Sequence, residues 1–425
     1  MSGRVVRIGL LGFGTVGKGV FDMLSDNREV IERRAGLPIA IHRIAIRDEG
    51  KDRGIDRKLF TTDCEAIVND PEIDVIIEVI GGVEPAYELI KSALRQGKSV
   101  VTANKELMAK HGSELLNMAA AQDLDLHLEA AVGGGIPLIQ PLKHQLAGND
   151  ILRLVGILNG TTNYILSKIE EGGDFGQVLA EAQALGYAEA DPTADVDAFD
   201  TTYKISILAS IAFGRQVDPA QVSRQGIRSI TRKDVEYAEN LGFRIKLVGI
   251  VEPTGEQVRV RVHPALVAAD HPLASVRGVY NALWVEGDFV GSLLFSGRGA
   301  GGAATASAVV GDLIDIVRNI DDEGKGSAVP YAEGGEVASM DNLTCRYYLR
   351  IRVSDRPKVL GEIAQVFGLE EISISTMDMR VLGEGQGEIT FLTHPAREAN
   401  VQAALRALKS EPGVQQVENC LRVLD

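Results

Sequence analysis

In the first third of the chain, short apolar runs alternate with segments of helical spacing. The strand-like runs are "RVVRIGLL" (residues 4–11), "IAIHRIAI" (39–46), "IDVIIEVI" (73–80), "KSVVTA" (98–103) and "LDLHLEAAV" (124–132). Between them, stretches such as "GFGTVGKGVFDMLSDN" and "PAYELIKSALRQG" repeat their apolar positions every three to four residues. Strands alternating with helices predict a parallel sheet covered on both faces. After Val132 the pattern changes. "ILRLVGILNGTTNYILSKI" reads as strand, turn and helix, and strand-like runs follow at 244–253, 257–267, 281–288 and 290–297. This order predicts an α+β domain. "GRGAGGAATASAVVGDLIDIVRNI" is a glycine loop leading into a long apolar helix, at about 300–320, expected to pack back on the first domain. An acidic, glycine-bearing stretch then reads as a linker. From Arg346 the runs spell β-α-β-β-α-β, the ferredoxin-like arrangement. The expected divisions are therefore 1–132, 133–320, a linker over 321–345, and 346–425.

Composition narrows the classes. The 425 residues carry 59 acidic against 44 basic side chains, a net charge of −15. That excludes a nucleic-acid binder, which needs a basic face. The three cysteines, Cys64, Cys345 and Cys420, are far apart and fit neither a zinc site nor a disulfide scaffold. No continuous apolar segment reads as a signal peptide or a membrane span, so a cytoplasmic protein is expected.

The chemistry starts at Gly12-Phe13-Gly14-Thr15-Val16-Gly17, a G-x-G-x-x-G placed after a strand and opening a helix. In that context it is a dinucleotide-binding loop, with the pyrophosphate on the helix N-terminus. At the end of the second strand, Arg47 precedes Asp48, with Lys51 and Arg53 behind. A guanidinium there suits a 2′-phosphate, whereas a carboxylate suits a 2′-hydroxyl. The expectation leans to NADP and leaves NAD open. Lys51 and Arg53 read about equally well as solvated loop charges.

A second constellation lies in "EADPTADVDAFDTTYK" (189–204), directly before the apolar "ISILASIAF". A helix over 197–213, capped by Asp195 or Asp197, accounts for several of the acids. Asp200 and Lys204 are four apart, on one face and at the edge of a core. A lysine held charged by a carboxylate suits polarisation of a carbonyl oxygen during hydride transfer. Asn104 and Lys105 follow the fourth strand at its C-terminal end, the edge where such sheets bind ligands. "LNGTTNY" (158–164) offers amides and hydroxyls at a strand-to-helix turn, although Thr161 and Thr162 also read as simple helix caps.

With these residues in view, the chain resembles homoserine dehydrogenase over nearly its whole length. "GFGTVG", "IGGVEPAYELI", "VTANKELMA", "EAAVGGGIPLI", "LNGTTNYIL", "LGYAEADPTADVD" and "SGRGAGGAATASAVVGDL" stand in the family's order. "VSDRPKVLGEIAQVFG" and "ISIST" resemble an ACT domain. The implied fold is α/β: a Rossmann-type sheet, an α+β substrate and dimerisation domain, and a C-terminal ACT domain. The implied reaction is the reversible NAD(P)-dependent reduction of L-aspartate 4-semialdehyde to L-homoserine.

The resemblance also assigns residues. Lys105 and Lys204 match the catalytic lysines, Asp200 the carboxylate beside Lys204, and Glu189 the group that meets the substrate's ammonium. Gly160, Thr161, Tyr187 and Asp195 match substrate contacts. Thr102, Lys105 and Gly301 join the glycine loop and Arg47 around the cofactor. A sodium-like monovalent cation is implied at Glu129, Val132, Gly134 and Ile136, held by the glutamate side chain and backbone carbonyls. A homodimer or homotetramer and an amino-acid effector at the ACT domain are implied as well.

Some positions depart from the family pattern. Ala198 and Lys358 stand where glycine is expected, and Glu370 and Glu371 where glycine or asparagine is common. Glu370 and Glu371 are expected to pair with Lys358 and fill the effector pocket, which predicts a weak response to threonine. Three other readings fit less well. A semialdehyde dehydrogenase acting through a cysteine fails, because no cysteine lies between Cys64 and Cys345. A histidine-based hydroxy-acid dehydrogenase leaves the lysines unexplained. A catalytically silent sensor of nucleotide and amino acid leaves intact Lys105, Glu189, Asp200 and Lys204 without a purpose.

Overall fold

The structure is a computed structural model that describes residues 4–48, 50–321, 336–383 and 385–424. Six parallel strands form the first sheet: β1 (Val6–Leu11), β2 (Ile39–Ala45), β3 (Phe60–Thr61), β4 (Val75–Glu78), β5 (Ser99–Thr102) and β6 (Leu126–His127). Their order is β3-β2-β1-β4-β5-β6, the doubly wound arrangement with its switch point between β1 and β4. Only β3, two residues long, has no counterpart in the apolar pattern. The helix Gly302–Asp321 covers one face of this sheet. It buries Ala306, Val309, Val310, Leu313, Ile316 and Val317 against Val6, Ile8 and Leu10 of β1.

The rest of the strands belong mainly to one ten-stranded sheet. Its first members are β7 (Ile151–Ile157), β8 (Ser223–Arg224), β9 (Phe243–Thr254), β10 (Gln257–Ala268), β11 (Tyr280–Gly287) and β12 (Gly291–Arg298). A two-stranded pair joins β13 (Thr344–Cys345) to β17 (Ala396–Arg397). The C-terminal β-α-β-β-α-β unit supplies β14 (Tyr347–Ser354), β15 (Ile374–Gly383), β16 (Gln386–Thr393) and β18 (Val414–Leu424). Its strands do not form a separate sheet, because β18 pairs in parallel with β10 and continues the order as β10-β18-β14-β16-β15.

The joint between these units contains a buried ionic cluster. Arg350 of β14 is buried and reaches Asp234 at 2.7 Å and Glu388 at 2.8 Å, while Asn419 donates to Asp234 at 2.7 Å. Asp234 also completes the capping box of the helix Arg232–Asn240. The stretch expected as a linker, 321–345, falls mostly on 322–335, outside the described residues.

Two local expectations need correction. The helix after the acidic stretch runs Phe199–Phe213, and neither Asp195 nor Asp197 caps it. Its N-cap is Ala198, in the left-handed region at φ 65°, and Asp197 instead pairs with Arg228 at 2.6 Å. In the ACT unit no ion pair joins Lys358 to Glu370 or Glu371 among the described residues. Lys358 precedes the helix Val359–Leu369 and the two glutamates follow it. Eleven helical residues separate the charges by about 16 Å. Lys358 (φ 77°) and Glu371 (φ 56°) are left-handed too, which explains why glycine suits these positions.

Candidate active site

The glycine loop sits at the C-terminal end of β1. Gly12 has φ 103°, and a Cβ there would lie 2.9 Å from the Val79 carbonyl oxygen. Gly17 packs so tightly that a Cβ would stand 2.2 Å from the Gly12 oxygen. Beside Gly14 the space is open. Gly14 is the N-cap of the helix Thr15–Asp26, so the backbone amides at Thr15 and Val16 face outward unpaired by helix geometry. An open cradle of amides fits a pyrophosphate.

Next to it lies a cavity of about 500 Å³ lined by Phe13, Gly14, Arg47, Arg53, Thr62 and Pro85, among others. Arg53 therefore belongs to the cleft, together with Arg47, and stacks over Phe60 at 5.5 Å. Read from spacing alone, it fits a solvated loop charge about as well. Gly301 (φ 116°) precedes the helix Gly302–Asp321, and a Cβ on Gly302 would lie 2.9 Å from the Thr15 oxygen. The starts of two helices thus meet at the loop.

Thr102 is fully buried, and its hydroxyl donates to Glu78 at 2.6 Å, so its side chain does not face the cleft. Glu78 was not anticipated. Its carboxylate also accepts from the amides of Ile80 and Gly81 at 2.8 and 3.3 Å, tying the loop after β4 to the end of β5. Burial raises its pKa against these hydrogen bonds. An acid ending an otherwise apolar strand, "VIIE", was the available signal. The backbone amide of Asn104 donates to the Thr102 hydroxyl oxygen at 3.0 Å, while its side chain caps the helix Lys105–Ala120 and donates to the Gly82 carbonyl at 2.6 Å. Lys105 is consequently the first residue of a helix fixed at both flanking loops.

Asp200 is the centre of the second constellation. It is 3% exposed, and Lys105 and Lys204 contact its two carboxylate oxygens, Lys204 at 2.8 Å. Lys204 also donates to the Leu158 carbonyl at 2.8 Å. Asn159, another residue the sequence did not single out, donates to Asp195 at 2.7 Å and to Asp200 at 2.9 Å. Its side-chain oxygen caps the helix Gly160–Glu170, the role expected of Thr161 or Thr162. Thr161 donates instead to the Tyr187 carbonyl at 2.6 Å and clamps the 187–190 segment to the helix start. Gly160 is required by close approach, since a Cβ would lie 2.8 Å from the Val279 oxygen. The Tyr187 ring is exposed, 5.1 Å from that of Tyr164, and Glu189 is exposed with it.

The electrostatics separate the two lysines. Burial opposes the charge on Asp200, but the two ammonium groups outweigh it and hold the carboxyl well below its usual range. Burial lowers the pKa of Lys204, partly offset by Asp200. Lys105, its side chain 46% exposed, is raised by Asp200. Asp195 is raised by burial and by the charge of Asp200. The site therefore holds one lysine displaced towards neutrality and one fixed cation, around a permanent anion.

At the expected cation position the Glu129 side chain is already engaged. Its oxygens accept from the amides of Leu138, Ile139 and Gln140 at 2.6, 2.8 and 2.7 Å. The carboxylate thus caps the backbone turn at 138–140. None of the hydrogen bonds among the described residues ends on the carbonyls of Val132, Gly134 or Ile136. Those carbonyls remain as a donor set suited to a hard cation.

Comparison with known proteins gives a consistent picture. Residues 12–129 match the NAD-binding domain of homoserine dehydrogenase, 137–314 homoserine dehydrogenase, and 347–413 the ACT domain. A homoserine dehydrogenase from Synechocystis sp. is 44% identical, with 99% of each chain covered. The crystal structure of a homoserine dehydrogenase from Thiobacillus denitrificans superposes with a TM-score of 0.94 at 42% identity, covering 99% of both chains. A hyperthermophilic archaeal homoserine dehydrogenase in complex with NADPH matches 74% of this chain and 98% of its own, with a TM-score of 0.64 at 29% identity.

Proposed function

The chain belongs to the homoserine dehydrogenase family, a group of nicotinamide-dependent oxidoreductases, and from that premise we propose how its residues divide the work. The reaction is the reversible reduction of L-aspartate 4-semialdehyde to L-homoserine. The observation that carries the assignment is Asp200 clamped between Lys105 and Lys204 at the open end of the sheet. A silent sensor would have no use for that arrangement.

The bound nicotinamide supplies the hydride. As negative charge develops on the substrate's C4 oxygen, Lys204 delivers a proton to it, since burial has already weakened its hold on that proton. Lys105 remains charged beside it and stabilises the developing alkoxide. Asp200 orients both lysines, and Asn159 fixes Asp200. Glu189 and Asp195 receive the substrate's ammonium group, and the clamped segment carrying Tyr187 closes over its carbon chain. Gly12 to Gly17 hold the pyrophosphate.

NADP is the proposed preference, because Arg47 and Arg53 share the cavity next to the loop. A monovalent cation would be held by the Glu129 carboxylate and the carbonyls of Val132, Gly134 and Ile136. We further propose a cytoplasmic homodimer or homotetramer whose ACT domain responds weakly to threonine.

The direct test is homoserine oxidation followed at the nicotinamide absorbance band, with NADP and NAD compared. Lys204→Ala is expected to lower kcat by about two to four orders of magnitude with little change in dinucleotide binding. A variant that keeps most of its activity would remove Lys204 from the mechanism.

A further inference from the structure

The sheet that carries the catalytic helix has a second, unassigned polar site on its opposite face. Along β10 the side chains alternate. Val258, Val260 and Val262 enter the core shared with Ile205 and Leu208 of the catalytic helix. Arg259, Arg261 and His263 point to the other side, where they line a cavity of about 300 Å³ with Arg153, Glu252 and Arg422. The cavity also touches residues 343–345 and the end of β18, so it lies where the substrate domain, the segment entering the ACT unit and the last ACT strand meet.

Its lining is rich in guanidinium groups. Glu252 is shared by Arg153 at 2.9 Å and Arg261 at 2.7 Å, and Arg422 is taken by Glu398 at 2.5 Å. Arg259 has no ion pair among the described residues. Three buried nitrogens lining this cavity also lack any hydrogen-bond partner: Nε of Arg259, Nε of Arg261 and Nε2 of His263. Arg261 and His263 are 5% and 3% exposed, so solvent does not readily supply what is missing. His263 faces the Pro264 carbonyl through Nδ1 at 3.0 Å. A carbonyl only accepts, so Nδ1 carries the proton. Burial, followed by the charges of Arg422 and Arg261, keeps the ring neutral, which leaves Nε2 an acceptor.

We propose that this cavity binds a small oxyanion that carries a hydroxyl proton, of the hydrogen-phosphate class. Its oxygens take the free guanidinium N–H groups of Arg259 and Arg261, and its O–H donates to Nε2 of His263. Bound there, it would join β7, β9 and β10 to the ACT unit behind the catalytic helix. The site is separate from the pyrophosphate cradle, which lies on the other sheet.

The probe is inorganic phosphate, titrated calorimetrically at constant ionic strength into the full chain saturated with NADP, so that the glycine loop cannot compete. One saturable site is expected, together with a phosphate-dependent rise in melting temperature. Arg259→Gln, at a half-buried position outside the catalytic machinery, should bind phosphate about tenfold or more weakly, as for loss of a charge-assisted hydrogen bond, and keep its basal activity. Sulfate has the same shape but no proton for Nε2 and should bind more weakly than phosphate. Absence of saturable binding to the NADP-saturated enzyme would overturn the site. Equal phosphate affinity in Arg259→Gln would mean an adventitious ion only, and sulfate binding as tightly as phosphate would overturn the protonated-oxyanion assignment.

Discussion

Replacing Asp200 by asparagine isolates the group on which both lysines depend. The carboxylate is 3% exposed and contacts Lys105 and Lys204 at once. Unit charges ~4 Å apart attract by about 4 kcal/mol at an effective dielectric of ~20. Asparagine keeps the shape and can still accept one hydrogen bond, but it removes the anion. The two ammonium groups then face each other without compensation. Lys204 is affected more, because burial already lowers its pKa and Asp200 is the main opposing influence. Loss of Asp200 lowers that pKa further, so the protonated lysine disappears at a lower pH. For semialdehyde reduction, which needs the ammonium form, the alkaline limb of kcat should move to lower pH. At neutral pH kcat should fall by about 10²–10³, within the range for a disabled general acid. Dinucleotide affinity should be unchanged, since the glycine loop is untouched. Steady-state kinetics of both directions across the pH range read these quantities. An unshifted alkaline limb with kcat within about threefold of wild type, well short of a disabled acid, would refute the reasoning that Asp200 sets the protonation of Lys204.

Arg47→Ala should weaken NADP by about 1–3 kcal/mol while leaving NAD nearly unaffected; equal losses for both cofactors, measured by fluorescence titration, would place the guanidinium in solvent. Lys358→Gly relieves a left-handed residue at an exposed position and should stabilise the ACT unit by about 1 kcal/mol, a rise in melting temperature of ~2–4 °C. The same glycine opens the turn before the helix Val359–Leu369, so inhibition by sub-millimolar threonine should be weak in the wild type and stronger in the variant; strong inhibition of the wild type would contradict the reading of that turn. Arg350→Met leaves the buried Asp234 without its cation and Glu388 with Lys233 at 3.6 Å, and should cost about 3–5 kcal/mol. Calorimetry should then show the ACT unit melting ahead of the rest, with kcat retained; a single unshifted transition would show that the ionic joint is dispensable.

The order of strands and helices, the dinucleotide loop and the lysine–carboxylate pair were all legible in the sequence. Each is written locally. A strand repeats every two residues, a helix every 3.6, and Asp200 and Lys204 lie one helical turn apart. Lys105 could be read from its place after the fourth strand, but no spacing connects it to Asp200 some 95 positions later in the chain. What the sequence could not reveal depends on distant segments or on backbone angles. Asn159 bridges two acids because β7 delivers it to the start of the catalytic helix. Glu78 reads as a stray charge until its strand is set beside Thr102. The carboxylate of Glu129 also ties down the turn at 138–140, whose three amides no spacing in the sequence places beside it. Ala198, Lys358 and Glu371 look like mere departures from a family pattern until their φ angles show what glycine would have supplied. The largest surprise is the sheet. Two strand groups separated by a presumed linker join edge to edge through β10 and β18, because an edge strand leaves unpaired N–H and C=O groups that another edge can satisfy. Side-chain pattern encodes which face of a strand is buried; which edge it meets is settled only when the tertiary structure brings the two together.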